Sequence, residues 1–298
     1  QLLPARVARR DGPHPRLMSE GLTWKEAEPP ALPAPTAAQK ARGYVRVAAM
    51  VAITLIGLLL FLSGKGLQRL FGRWIGYHYV VAQIWSRAML AILGVRRVVR
   101  GEPIRKGGVF TANHASWLDI VSLRSVARVN FVSKAEVRDW PGVGFIAAIC
   151  ETVFIERRRS AAKRQQQDLH ERIMRDELLC VFPEGTSTDG LRVLPFKSTL
   201  MSVLFLEGVH EEALVQPVSI VYRADPALDL PVNFYGWWGS MSFEGHIWSV
   251  ATRSAGGEVE ITFHEAMRAV DWDDRKALTA RCEAAVRSAF PGEGRAAP

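Results

Sequence analysis

Residues 47–64 read VAAMVAITLIGLLLFLSG and carry no charge over 18 positions. Nothing else in the chain limits its folding so strongly. A helix rises about 1.5 Å per residue, so this run approaches the length that crosses the apolar core of a bilayer. The alternative is a core helix buried in a soluble domain. Arg42 and Arg46 precede the run, and Lys65, Arg69 and Arg73 follow it. Basic residues on both flanks leave the orientation open. The run starts too far along the chain for a secretory signal peptide, and no small-residue cleavage site clearly follows. The expectation is a membrane anchor. Residues 66–95 set Arg69, Arg73 and Arg87 among apolar and aromatic residues. That mixture suits an amphipathic helix lying in the interface with its arginines reaching headgroups, with an ordinary amphipathic surface helix as the alternative. Residues 41–95 are therefore expected to form membrane-anchoring helices.

Residues 1–40 contain seven prolines and little hydrophobic periodicity. They read as a disordered, Pro-rich tail. The first residue is Gln rather than Met, so a trimmed or misassigned start is expected. From residue 96 to 298 strand-like runs alternate with helical ones. The strands are expected at 107–112, 129–133, 152–155, 178–182, 214–222 and 257–263. The helices are expected near 118–127, 160–176, 195–207 and 273–289. Such alternation argues an α/β domain with a mixed, largely buried sheet flanked by helices. The net charge is +8 and the isoelectric point about 9.7. A basic surface favours anionic partners: acidic carrier proteins, anionic lipid or nucleic acid. No zinc-finger spacing or aromatic-and-basic RNA-binding signature supports the last of these. Cys150, Cys180 and Cys282 form no CxxC pair. They read as reduced core residues of a cytosolic domain.

Four stretches carry polar groups where apolar neighbours make them costly. TANHASWLDI, residues 111–120, places His114 five positions before Asp119. On a regular helix that spacing turns by about 140°, so the two side chains meet only where the chain bends. A strand ending near Ala112, a turn at 113–116 and a helix start supply the bend. A carboxylate on one ring nitrogen would fix the tautomer and leave the other nitrogen to take a proton. A core histidine beside a capping aspartate is the bland alternative. The stretch ETVFIERRRSAAKR, 151–164, runs a strand into Arg157, the arginine closest to the strand end. Arg158, Arg159, Lys163 and Arg164 read as a solvated helix start. In FPEGTSTDG, 182–190, Pro183 stops sheet pairing and Gly185 permits a tight turn close to a ligand. Glu184, Thr186, Ser187 and Thr188 would line a polar pocket floor. In LVQPVSIVY, 214–222, Pro217 removes a ladder donor and marks an edge or a bulge.

These four blocks, in this order, resemble the glycerolipid acyltransferase family, which includes the 1-acylglycerol-3-phosphate O-acyltransferases. The family's NHxSxxD block stands here as Asn113 to Asp119, its FIxR block as Phe154 to Arg157, and its FPEGT block as Phe182 to Thr186. A proline-bearing strand follows as Val215-Gln216-Pro217-Val218. The resemblance covers roughly residues 85–225. It implies a glycerol-3-phosphate/lysophospholipid acyltransferase-like fold and acyl transfer from a thioester, on acyl carrier protein or coenzyme A, to a lysolipid hydroxyl. His114 would be the base and Asp119 its orienting carboxylate. Arg157, Glu184, Gly185 and Thr186 would bind the acceptor. Asn113, Ser116 and Pro217 would lie in the donor or oxyanion region. No metal and no cofactor is implied beyond the thioester co-substrate. The implied location is the inner membrane, with the catalytic domain facing the cytoplasm.

One departure bears on the acceptor. Many phosphate-accepting members follow FPEGT with arginine, and here that position is Ser187. Lys197 or Arg192 would have to supply the lost charge. FPEGTSTDGLRVLPFKS and the later FYGWWGSMSFEGHIW look similar to lyso-ornithine lipid O-acyltransferases. Lysophosphatidic acid is the first reading of the acceptor, in phospholipid biosynthesis, and lyso-ornithine lipid the alternative. Phe234, Tyr235, Trp237, Trp238 and Trp248 would line an acyl tunnel, meet the membrane interface or form ordinary core. A thioesterase or esterase is the rival enzyme, but the chain has no GxSxG elbow and no HExxH motif. A membrane-attached binding protein with a degenerate site is the non-enzymatic rival, and it predicts a missing base or carboxylate.

Overall fold

The computed structural model describes residues 23–72, 77–105, 107–140, 143–155 and 159–290. The apolar run lies inside one long helix, α1 (Ala37–Phe71). Thr36 starts it with a capping box, its hydroxyl accepting from Gln39 N while the Gln39 side chain accepts from Thr36 N. Gly72, at φ 89°, ends it. α2 (Tyr77–Ile92) folds back against α1. Trp85 donates to Thr54 at 3.1 Å across this pair. Gly64 permits the close approach, because a Cβ there would meet His78 Cβ at 2.9 Å.

The outward face of the hairpin is apolar. Leu55, Ile56, Leu59, Leu70 and Phe71 of α1 and Ile84 of α2 are exposed. α1 is long and apolar enough to cross a membrane. Arg69 is exposed, but Arg87 does not follow the headgroup expectation, and the flanking arginines also turn to the domain. Arg42 and Arg46 donate to the backbone oxygens of Thr252, Ala251 and Ser254. Arg87 donates to Ser125 O at 3.0 Å. These side chains lock the hairpin onto the domain, because buried helix-end carbonyls need donors. Arg73 lies outside the described residues.

The domain carries an eight-stranded mixed sheet. Its strands are β1 (Val95–Arg100), β2 (Gly108–Ala112), β3 (Val129–Lys134), β4 (Val153–Ile155), β5 (Leu178–Val181), β6 (Leu214–Arg223), β7 (Gly257–Phe263) and β8 (Met267–Arg268). Their order is β1-β7-β6-β2-β5-β3-β4, with β8 also on β6. β6, β2, β5, β3 and β4 run parallel, whereas β7 and β8 pair antiparallel with β6. Successive residues face opposite cores. Phe110 and Cys180 pack with Leu90, Leu118 and Ile220 on one side, whereas Val109 and Leu179 pack with Met201, Leu278 and Cys282 on the other. The mixed, buried sheet matches the expectation from sequence. Cys180 and Cys282 are buried thiols, but Cys150 is only partly covered.

α3 (Leu118–Arg124), α4 (Val143–Ile149), α5 (Arg159–Met174), α6 (Val209–Glu212), α7 (Phe243–Arg253) and α8 (Arg275–Arg287) are the other α-helices among the described residues. The helix expected near 195–207 is a 3-10 segment, Ser198–Phe205.

The expected Pro-rich tail is corrected over 23–40. Residues 23–36 form a strap on the domain, and α1 has begun by Ala37. Thr23 bridges to Ser187, Trp24 N donates to Ser187 O at 2.9 Å, and Gly239 N donates to Trp24 O at 2.7 Å. Burial of Trp24 outweighs the compositional signal. The prolines at 29, 30, 33 and 35 suit an extended strap that needs few backbone donors. Residues 1–22 lie outside the described residues.

Candidate active site

β2 ends at Ala112 and α3 starts at Leu118, so residues 113–117 form the expected bend. His114 Nδ1 lies 2.7 Å from Asp119 Oδ2. The same oxygen accepts the backbone N–H groups of Ala115 at 2.8 Å and Ser116 at 2.9 Å. One carboxylate therefore shapes the turn and orients the ring. Asp119 is fully buried, whereas the His114 side chain keeps 19% of its surface exposed. The opposite ring nitrogen, Nε2, has no hydrogen-bond partner among the described residues. Phe182 stacks on the imidazole at 4.2 Å between centroids.

The backbone of this turn is held from outside as well. Glu184 Oε1 accepts from His114 N at 2.7 Å, and Glu184 Oε2 accepts from Leu194 N at 2.8 Å. Thr188 N donates to His114 O at 2.9 Å, and Trp237 N donates to Ala115 O at 2.8 Å. The FPEGT turn and the 237 turn thus clamp residues 114 and 115.

The acceptor-binding expectation changes accordingly. Glu184 is buried and spends both oxygens on backbone donors, so it supports the His114 turn rather than facing a ligand. Gly185, at φ 69°, and Thr186 are left at the partly exposed lip of this loop. Arg157 lies outside the described residues, just beyond β4. The donor or oxyanion expectation changes too. Asn113 exchanges two hydrogen bonds with the Ile220 backbone at 2.9 and 2.8 Å. Ser116 is buried, its N–H given to Asp119 and its hydroxyl oxygen accepting from Leu118 N at 3.4 Å. Pro217 lies inside β6, away from a sheet edge and in register with Thr111 of β2, but on its other side the register jumps, with residues 216–217 standing opposite 264–266, so the expected irregularity is present. Its carbonyl accepts from His264 N, so its missing N–H faces the β7–β8 connection and costs the β2 ladder nothing.

Burial pushes the Glu184 carboxyl from 4.5 up to about 8, against the lowering effect of the Leu194 and His114 N–H groups. A carboxyl raised in the folded state gives stability that is full below 4.5 and lost as pH climbs through about 8. Glu184→Gln removes this titration. The variant is expected to gain stability relative to the parent as pH rises from about 5 to about 9, read by urea unfolding at each pH. A difference that stays constant with pH would show that Glu184 does not titrate in this range.

Sequence reasoning missed the groups behind the pair. The Ser122 and Tyr222 hydroxyls share a 3.1 Å bond. Burial and the Asp119 charge push the Tyr222 phenol well up, so it stays protonated. Trp117 donates to His246 Nδ1 at 2.9 Å, and burial pushes that imidazole down to about 4. Most of the aromatic cluster proves to be core: Phe234, Tyr235, Trp237 and Trp238 are buried, and Trp140 and Phe243 pack on Trp237. Trp248 instead packs on Tyr44 of α1.

Residues 96–221 match the family model described as Acyltransferase. A lyso-ornithine lipid O-acyltransferase of Rhodobacter capsulatus is 42% identical over 266 residues, covering 89% of this chain and 96% of that protein. The chain belongs to the acyltransferase family. Another relative is the lyso-ornithine lipid O-acyltransferase of Brucella abortus, 34% identical over 83% of this chain and 93% of that protein. A 1-acyl-sn-glycerol-3-phosphate acyltransferase of Neisseria meningitidis is 27% identical over 78% of this chain and 89% of that protein. The crystal structure of the 1-acyl-sn-glycerophosphate acyltransferase of Thermotoga maritima shares the fold. Its TM-score is 0.58 at 21% identity, over 86% of this chain and all of that one. Within this acyltransferase the position after FPEGT is closed. Ser187 is buried and donates to Trp237 O at 2.6 Å beneath the strap. Lys197 lies over Gly185, its amine 3.0 Å from where a Cβ would stand.

Proposed function

We propose that the protein transfers an acyl group from a thioester, on acyl carrier protein or coenzyme A, to the free hydroxyl of lyso-ornithine lipid. The observation that carries the chemistry is the His114–Asp119 pair, held by a turn whose backbone is clamped on both sides. The acceptor hydroxyl loses its proton to His114 Nε2 as its oxygen attacks the thioester carbon. The tetrahedral oxyanion collapses, the carbon–sulfur bond breaks, and the thiolate takes the proton back from Nε2. Asp119 fixes the tautomer and stabilises the imidazolium between these steps.

Two observations favour this acceptor over lysophosphatidic acid. The 42%-identical relative over 89% of the chain carries that name. The position where phosphate-accepting members hold an arginine is a buried serine under the strap. The apolar outer face of α1 and α2 would lie against the inner membrane, with the domain on its cytoplasmic side. The chain's net charge of +8 suits an anionic lipid surface and an acidic carrier protein.

The test offers the purified full chain a labelled acyl thioester with lyso-ornithine lipid, with lysophosphatidic acid, or with neither. Ornithine lipid as the main labelled product is expected. Labelled phosphatidic acid in its place would return the acceptor to the first reading from sequence. Labelled free fatty acid alone would mean a hydrolase.

A further inference from the structure

The lyso-ornithine headgroup differs from a phosphate in where its anion stands. Its carboxylate lies about two covalent bonds, roughly 2–3 Å, farther from the reacting hydroxyl than the phosphate oxygen of lysophosphatidic acid does. An arginine directly after FPEGT suits the nearer anion. A cation farther along the same loop suits the farther one.

The loop has such a cation. Arg192 Nε lies 3.2 and 3.1 Å from the two oxygens of Asp189, and its Nη2 lies 2.8 Å from Oδ2. Its guanidinium carbon sits 4.5 Å from the centre of the Trp24 ring. Asp189 on one edge and the indole on one face fix the plane of the fork. The side chain nevertheless keeps 44% of its surface exposed. Among the described residues two Nη1 hydrogens and one on Nη2 stay available, a pattern that matches a carboxylate. The loop also lies on the catalytic turn. Thr188 bonds His114 O through its backbone N–H, and its hydroxyl reaches Arg192 O at 3.4 Å. A Cβ on Gly190 would stand 3.3 Å from Ala115 Cβ. A cation–π contact and a bidentate ion pair on a surface arginine represent ordering that a merely solvated side chain would not need.

We infer that Arg192, pre-oriented by Asp189 and by Trp24 of the N-terminal strap, binds the carboxylate of the acceptor headgroup and sets preference for an amino-acid lipid. This assignment rests on the reading of the acceptor proposed above. The strap is then part of the acceptor site and not only a brace.

Steady-state kinetics on the full chain test it, with lyso-ornithine lipid and with the same lipid carrying its carboxylate capped as a carboxamide. Arg192→Gln is expected to raise KM for lyso-ornithine lipid about tenfold or more, with kcat much less affected. Capping should raise KM for the parent by a similar factor and have little effect on the variant. Arg192→Lys should recover part of the loss, and Trp24→Leu should raise KM without abolishing kcat. A parent enzyme that acylates no lyso-ornithine lipid overturns both the acceptor reading and this assignment. A parent enzyme that does so, with an unchanged KM in Arg192→Gln or equal sensitivity to capping in both proteins, overturns the assignment alone.

Discussion

Replacing His114 with alanine is expected to lower kcat for acyl transfer by about a thousandfold or more. The fold should survive, because the structural demands on residue 114 fall on its backbone. Its N–H goes to Glu184 and its carbonyl accepts from Thr188, and alanine keeps both. The lost ring gives up its stacking on Phe182, about 0.5–1.5 kcal/mol. Asp119 keeps two of its three bonds, those from Ala115 and Ser116. The variant therefore separates chemistry from architecture. Single-turnover transfer of a labelled acyl group to the lysolipid reads the first, and thermal unfolding reads the second. A near-parental rate in a folded His114→Ala protein would mean that another group takes the acceptor's proton, and the proposed mechanism would fail.

The His114–Asp119 turn was legible in the sequence because the elements that make its bend are local. A buried strand, a polar turn and a helix start lie within about a dozen residues, and only a bend lets an imidazole and a carboxylate five positions apart meet. The strands β2, β5 and β6 were legible for a similar reason, since their apolar runs are bounded by turn residues. The supports of the turn were not legible, because they cross long sequence separations. Glu184 looks like a ligand-facing acid when read alone. Only the fold shows that its oxygens serve His114 and Leu194. Asn113 looks like a site donor until Ile220, 107 residues away, takes its whole amide.

Charge misled in two places. VRRVVR does not read as a strand, yet β1 pairs with β7, and Arg96 and Arg100 meet Glu258 and Glu260 across the ladder. Arg87 suggests a headgroup but is consumed by a helix C-terminal carbonyl. In the strap, four prolines hid one tryptophan whose burial decides the conformation.

Asp119 should show two separable losses, because one oxygen does two jobs. Asp119→Ala is expected to cost about 3–5 kcal/mol of stability and nearly all activity. Without the carboxylate, the N–H groups of Ala115 and Ser116 stay buried with no acceptor, and both residues are fully covered. Each such orphan costs about 1–3 kcal/mol. Asp119→Asn tests the other role. Its amide oxygen can stand where Oδ2 stands and keep all three donors, so the turn should hold. The negative charge is gone, however, and the imidazolium that forms during transfer loses its partner. The rate should fall by about a hundredfold or more while the urea midpoint moves little. The ordering matters more than the sizes: alanine should lose fold and rate together, and asparagine rate alone. An asparagine variant with parental kcat would reduce Asp119 to a brace for the turn. His114 would then work as a base without an electrostatic partner, and the pairing seen at 2.7 Å would be structural.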